Sequence, residues 1–177
     1  MRREFLGLAA LTLLSATAVA QDGDTLRSKL IDTQGKEVGS IVMQETPENG
    51  VLLKVSIAGL PPGPRAIHIH ETGKCEGDFK SAGGHFNPES HKHGVLVEGG
   101  PHAGDLPNIY IPEDGRLQAD IFARNVTLAK GTKNSLFDAD GSSLIIHEGV
   151  DDYKSQPTGD AGGRIACAVL AEAEKAG

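Results

Sequence analysis

The sequence contains no tryptophan and few other aromatic residues, with two tyrosines and five phenylalanines among 177 residues. Proteins that stack bases or sugars on their surface need exposed aromatic rings, so this composition argues against such a role. Basic residues are also in the minority, because 17 lysines and arginines stand against 24 aspartates and glutamates and the formal charge is −7. Nucleic acids and anionic membranes favour a basic surface. The charge balance therefore argues against either of them as a main partner.

No segment shows apolar residues at helical spacing over twelve positions, which argues against a helical bundle. The chain carries 23 glycines and nine prolines, and the glycine fraction is well above the roughly 7% of average proteins. Such a composition is typical of many short strands joined by turns. The length suits one domain with a sizeable core. We therefore predict a single all-β domain, an antiparallel sandwich or barrel.

Alternating apolar residues indicate where the strands lie. We predict them at 37–45, 51–60, 65–71, 117–124, 142–148 and 164–170, with the first two joined by a turn that ends in Asn49-Gly50. The segments 72–108 and 149–163 are rich in glycine and show no periodicity. Loops of such length inside a compact domain are usually functional. The domain is expected to span 22–170 and to be followed by a polar tail, 171–177.

The first twenty residues have the pattern of a cleaved export signal. Arg2 and Arg3 precede an apolar run at 5–16, and Ala18-Val19-Ala20 fits a cleavage site with small residues. The run is too short for a stable membrane anchor, so we expect no membrane insertion after cleavage and a periplasmic or extracellular location. The two arginines leave both the general secretory route and the twin-arginine route open. Cleavage would change the formal charge from −7 to −8.

The chain has only two cysteines, Cys75 and Cys167. In an exported protein, two distant cysteines usually form a disulfide. Closing a loop of this length would stabilise the fold by roughly 4–5 kcal/mol on the chain-entropy account. Free thiols, which could bind metal, are the alternative.

All seven histidines lie between positions 68 and 147. His68 and His70 are two apart on a predicted strand, so both rings point to one face and can reach one ion. Imidazole suits copper and zinc, and a carboxylate added to three imidazoles suits zinc. A solvated histidine-rich loop is the alternative to a metal site. The candidate ligands are His68, His70, His85, His91, His93, His102, Asp105 and His147.

Several motifs in order resemble those of the copper/zinc superoxide dismutases over 36–170. They are His68-Ile69-His70-Glu71, Ala82-Gly83-Gly84-His85-Phe86-Asn87-Pro88, Lys92-His93-Gly94, His102-x-Gly104-Asp105-Leu106, His147-Glu148-x-x-Asp151-Asp152 and Gly163-Arg164-Ile165-Ala166-Cys167. The resemblance implies a Greek-key antiparallel β-sandwich or flattened barrel of about eight strands with two long functional loops. It also implies the conversion of two superoxide ions and two protons to O2 and hydrogen peroxide.

The same resemblance implies two metal sites and their supports. Copper would be bound by His68, His70, His85 and His147, and zinc by His85, His93, His102 and Asp105. The shared His85 would bridge the two ions as an imidazolate. Asp151 would link His68 to His93, and Cys75 would form a disulfide with Cys167.

Arg164 matches the family's active-site arginine, which would attract the superoxide anion, since guanidinium carries a permanent charge. The alternative is a rim arginine paired with an acid such as Asp160. Thr158 would face Arg164 across the channel to copper. His91 has no role in the family pattern and is expected to be exposed. The loop from Asp151 to Arg164 is short, so substrate steering by lysines of that loop cannot be carried over from the family, and Lys154 is only a candidate.

Two other functions compete with the dismutase. One is a copper/zinc binding or delivery module without turnover, and the other is a structural sandwich that has retained zinc. Chains of the first kind typically lack a copper ligand or the arginine, both of which are present here. The resemblance leaves a homodimer open, because dimer contacts differ between branches of the family.

Overall fold

The computed structural model describes residues 26–171 of the chain. Nine strands and one short 3₁₀ helix are present in that part. In chain order they are β1 (Leu26–Asp32), β2 (Glu37–Glu45), β3 (Gly50–Ala58), β4 (Gly63–Arg65), β5 (Ile67–His70), the 3₁₀ helix (Lys80–Ala82), β6 (Ile109–Ile111), β7 (Arg116–Arg124), β8 (Ser142–His147) and β9 (Arg164–Leu170). Among the described residues, no helix is long and apolar enough to cross a bilayer.

Seven strands form one curled antiparallel sheet in the order β5-β8-β9-β1-β2-β3-β7. The chain leaves β3 near one edge, crosses to β5 at the other edge, and returns to β7 beside β3, which is the long connection of a Greek key. Strands β4 and β6 pair separately. The predicted all-β antiparallel fold is therefore confirmed, with nine strands rather than about eight.

The strand predictions are accurate where the apolar alternation is long. The segments 37–45 and 164–170 match β2 and β9, and 51–60 overlaps β3. The predicted strand 65–71 is divided between β4 and β5. Strands β1 and β6 are not predicted, because β1 has few apolar residues and β6 has only three residues. The proposed signal, 1–20, and all but the first residue of the tail lie outside the described residues.

The core fills the inside of the curled sheet. On β3 the alternating side chains of Val51, Leu53, Val55 and Ile57 are at most 2% exposed, as the period of two predicts. A second, smaller cluster contains Phe79, Ala82, Ile145 and Cys167. It anchors the loop 72–108 to strands β8 and β9.

The outer edge of β5 is covered by the long loop. The Ile69 N–H donates to the Gly104 carbonyl at 2.9 Å, and the Ile69 carbonyl accepts from the Phe86 N–H at 2.8 Å. Isolated bridges also pair His68 with Asp105 and His70 with His85. The backbone of the loop therefore brings histidine- and aspartate-bearing positions next to the strand that carries two more histidines.

Candidate metal centre

Strand β5 supplies the first two ligands of the candidate centre. His68 and His70 are fully buried, and their spacing of two places both rings on the same side of the strand. His147 ends β8, the strand paired with β5, at a register shift after Ile146. The pairing of β5 with β8 thus brings together side chains that are far apart in the sequence.

Four imidazoles form the first ligand group. One nitrogen from each lies within 4.8 Å of the other three. The ring centroids of His68 and His85 are 4.1 Å apart, and the Nε2 atoms of His70 and His147 are 3.4 Å apart. The members of this group are His68, His70, His85 and His147.

Three imidazoles and a carboxylate form the second group, in which the ligand atoms again lie within 4.8 Å of one another. Asp105 Oδ1 lies 2.8 Å from His85 Nδ1, 3.0 Å from His93 Nδ1 and 3.2 Å from His102 Nδ1. Its other oxygen accepts hydrogen bonds from the Gly94 and His102 N–H groups at 2.9 and 3.0 Å. One carboxylate oxygen is therefore held facing three rings.

His85 belongs to both groups. Its Nδ1 faces Asp105, whereas its Nε2 is buried without a hydrogen-bond partner among the described residues. The Nδ1 of His68 is also buried without a partner there. Unpaired buried nitrogens of this kind are costly, and coordination by a metal ion would satisfy both. The residues therefore fit a copper ion on the four-imidazole side and a zinc ion on the carboxylate side.

The ring protons in the first group lie away from its centre. His70 Nδ1 donates to the Gly83 carbonyl at 3.0 Å, which leaves the Nε2 lone pair free. Burial lowers the pKa of His70 to about 2, that of His147 to about 3 and that of His85 to about 4. These rings are therefore neutral at ordinary pH, and neutral imidazole is the form that binds metal ions.

Asp151 links the two groups. It is 2% exposed; its Oδ2 accepts from His68 Nε2 and its Oδ1 from His93 Nε2, both at 2.9 Å. Burial would raise the pKa of Asp151, but the hydrogen bonds from the two histidines outweigh it and lower that pKa. Each histidine is thereby left with its Nδ1 free for a metal.

Arg164 is held beside the first group by backbone carbonyls. Its Nη1 donates to the Phe79 carbonyl at 2.6 Å and its Nη2 to the Gly83 carbonyl at 2.7 Å. The Gly83 carbonyl also accepts from His70. These carbonyls, rather than Asp160, fix the guanidinium. Burial lowers the pKa of Arg164, and the nearby Asp78 opposes that effect.

The remaining predicted positions lie around the two ligand groups. Cys75 and Cys167 are joined by a disulfide with their Cα atoms 5.8 Å apart, so the predicted pairing is confirmed. His91 is exposed and lies outside both ligand groups, and its Nδ1 donates to the Pro101 carbonyl at 3.0 Å. Thr158 is half-buried, and its position opposite Arg164 stays a prediction.

Two amide side chains near the centre are not recognisable from the sequence. Asn108 accepts from the Asp151 N–H at 3.0 Å and donates to the Asp151 carbonyl at 2.9 Å. Gln156 makes the same pair of hydrogen bonds with the backbone of His93. An isolated amide residue in a loop has no local pattern that marks such a contact, so the sequence offers no signal for it.

A curled antiparallel sheet with adjoining four-imidazole and histidine–carboxylate groups is the arrangement expected of a protein that binds two metal ions. The copper/zinc superoxide dismutase (SODC) family matches residues 37–170. The chain is 49% identical to superoxide dismutase [Cu-Zn] 2 of Aquifex aeolicus over 165 residues, 92% of this chain and 95% of that protein. It is 45% identical to superoxide dismutase [Cu-Zn] of Caulobacter vibrioides over 159 residues, 88% and 85% of the two chains.

A solved structure agrees with these sequence relatives. The crystal structure of a SOD-like protein from Bacillus subtilis has a TM-score of 0.79 and 41% identity, covering 82% of this chain and 97% of that one. The chain therefore belongs to the copper/zinc superoxide dismutase family. It is an oxidoreductase that converts superoxide to O2 and hydrogen peroxide with copper and zinc as cofactors.

Proposed function

We propose that the four-imidazole group binds the copper ion and that the group containing Asp105 binds the zinc ion. The observation that supports this assignment is His85, which belongs to both groups, faces Asp105 with Nδ1 and has no hydrogen-bond partner at Nε2 among the described residues. A ring in this position can bridge two cations once it is deprotonated. When bound, copper supplies the one-electron redox chemistry, and zinc supplies a fixed positive charge without redox activity.

His85 moves the proton in the proposed cycle. In the first half, a superoxide anion would give up one electron, which bound copper would accept, and would leave as O2 while His85 took up a proton at Nε2. In the second half, another superoxide anion would receive that electron from the copper, take one proton from His85 and one from water, and leave as hydrogen peroxide.

Arg164 binds the anionic substrate in this proposal. Its guanidinium is permanently charged and offers a fork of donors, and the Phe79 and Gly83 carbonyls occupy only part of that fork. The formal charge of the whole chain, −7, repels superoxide. A local positive potential from the metals and Arg164 must therefore dominate at the entrance. Thr158 would limit the width of that entrance.

The decisive experiment combines metal analysis of the purified mature chain with a superoxide decay assay. One copper and one zinc per chain with fast decay is the expected result. Zinc alone, with no activity after copper loading, would instead indicate a binding module or a structural sandwich. Light scattering on the same sample separates a monomer from the homodimer that the sequence leaves open.

We also propose that residues 1–20 are an export signal and that the mature domain acts outside the cytoplasm. The disulfide between Cys75 and Cys167 supports an oxidising compartment. Amino-terminal sequencing of protein recovered from outside the cytoplasm should show that the mature chain begins at Gln21. Recovery of a chain that still begins at Met1 would contradict the proposal.

A further inference from the structure

The Gln156 side chain clasps the backbone of one candidate zinc ligand. Its Oε1 accepts from the His93 N–H at 2.9 Å, and its Nε2 donates to the His93 carbonyl at 2.8 Å. The same Nε2 donates to the Lys154 carbonyl at 2.9 Å, which fixes the amide on its own loop. Gln156 and His93 are 63 positions apart and belong to different loops. The amide therefore ties the loop 149–163 to the loop 72–108 at a ligand.

His93 lies outside every strand and helix that the structure describes, so no regular element holds its backbone. Its side chain is fully buried, and its backbone polar groups need partners that regular structure does not supply. Gln156 supplies both partners. The ring is then free to place Nδ1 3.0 Å from Asp105 and Nε2 2.9 Å from Asp151.

The His93 ring belongs to the group with Asp105 and is connected to the other group only through a shared carboxylate. Its Nδ1 belongs to the group with Asp105, and its Nε2 shares the Asp151 carboxylate with His68 of the other group. A backbone shift at His93 would stretch one of these contacts or the other. Partners that orient a metal ligand are commonly worth a factor of about 10–100 in metal affinity.

We propose that Gln156 is a positioning residue for the zinc site, holding the His93 backbone so that both ring nitrogens stay aligned. This inference rests on the proposed assignment of zinc to the Asp105 group. Gln156 acts through His93 and does not itself bind the metal. Its removal should weaken zinc retention while leaving the copper ligands in place.

The test compares Gln156→Met with Gln118→Met in the mature protein loaded with copper and zinc. Methionine has nearly the length of glutamine and lacks both hydrogen-bonding groups. Gln118 is exposed on β7, so its variant is a matched control. Zinc release to a chromogenic chelator should be about tenfold faster in Gln156→Met and unchanged in Gln118→Met. Copper content should stay the same.

A spectroscopic readout separates positioning from general loosening of the fold. With Co²⁺ loaded in place of zinc, the visible absorption bands of Gln156→Met should shift or weaken. The metal-free forms of Gln156→Met and of the unaltered protein should unfold at the same temperature. Gln156→Glu keeps the acceptor for the His93 N–H but loses the donor to the His93 carbonyl. Its zinc release rate should therefore lie between those of the unaltered protein and Gln156→Met. This variant also serves if Gln156→Met does not fold.

Three results would overturn the proposal and can be told apart. If zinc release and the Co²⁺ bands are the same in Gln156→Met and Gln118→Met, Gln156 is not a positioning residue. The zinc assignment is unaffected by that result. Faster release with unchanged Co²⁺ bands and an unstable metal-free form would also exclude the positioning role, because it would show a purely structural residue. Failure of the unaltered protein to take up either Zn²⁺ or Co²⁺ would overturn the zinc assignment, and this proposal with it.

Discussion

At the scale of single residues, the centre is organised by which nitrogen or oxygen each side chain turns inward. Asp151 engages Nε2 of both His68 and His93, and this leaves Nδ1 of each ring to face a metal group. Asp105 uses one oxygen for backbone N–H groups and the other for the three rings. The hydrogen bonds around the site therefore determine which ring nitrogens and which carboxylate oxygen face the metal positions.

Replacing Asp151 with asparagine should weaken metal binding. An amide can accept from only one of the two histidine N–H groups, so one ring loses its orientation. We expect zinc and copper affinity to fall by about 10- to 100-fold, measured by competition with chelators. Asp160→Asn makes the same change of charge at an exposed position of the same loop and should leave both affinities unchanged. Equal affinities in the two variants would contradict the role of Asp151.

Arg164→Ala should slow turnover without removing the metals. The guanidinium is bound to carbonyls and not to the candidate ligands, so its loss should mainly remove positive charge at the entrance. A decrease of about tenfold in superoxide decay at low salt is expected, from the size of electrostatic steering effects. Arg164→Lys, which keeps the charge, should retain part of the rate. Loss of metal from Arg164→Ala would show instead that the residue is structural.

At the scale of elements, the metal centre lies between strands β5 and β8 and the two long loops. The loop 72–108 is attached to the sheet by hydrogen bonds to β5 and by the small cluster around Phe79. The Cys75–Cys167 disulfide joins the same loop to β9. This attachment also supports the two carbonyls that hold Arg164.

Removing the disulfide should therefore reduce both stability and turnover. Cys75→Ser combined with Cys167→Ser opens a loop with a sequence separation of 92, which on the chain-entropy account lowers the free energy of unfolding by roughly 4–5 kcal/mol. Turnover should also fall, because the Phe79 and Gly83 carbonyls are no longer held in place. Denaturant unfolding and a decay assay on the folded fraction measure the two effects. Full activity per folded molecule would contradict the link to Arg164.

At the scale of the whole molecule, many titratable groups are buried together at one end of the sheet. Burial lowers the pKa of His70, His85 and His147 below the ordinary value of 6.5. The pKa values of Asp105 and Asp151 are also lowered, because hydrogen bonds from the histidines outweigh the effect of burial. The unfolded chain therefore binds more protons than the folded chain over a wide acidic range.

The metal-free protein should lose stability as the pH falls. Below about pH 6.5 the unfolded chain protonates histidines that stay neutral in the folded chain, so the free energy of unfolding decreases. The stability that the two aspartates contribute is present above their ordinary pKa and is lost as the pH falls below about 4. Thermal unfolding of the metal-free protein between pH 8 and pH 4 measures this. A flat profile between pH 7 and pH 5 would contradict it.

The sequence by itself determined the fold class and the candidate ligands. Alternation of apolar residues is a local property, so β2, β3 and β9 could be predicted from a few neighbouring positions. The histidines and the two cysteines were recognisable by residue type and spacing. The division of these residues into two ligand groups, and the roles of Asp151 and Arg164, followed from their resemblance to the motifs of the copper/zinc superoxide dismutases.

Only the tertiary structure decided which atoms meet. The hydrogen bonds from Arg164 to Phe79, from Gln156 to His93 and from Asn108 to Asp151 join residues 85, 63 and 43 positions apart. Such contacts depend on how the sheet curls and on where two loops without periodicity come to rest. No short stretch of sequence carries that information, because the packing of the whole domain sets the distances.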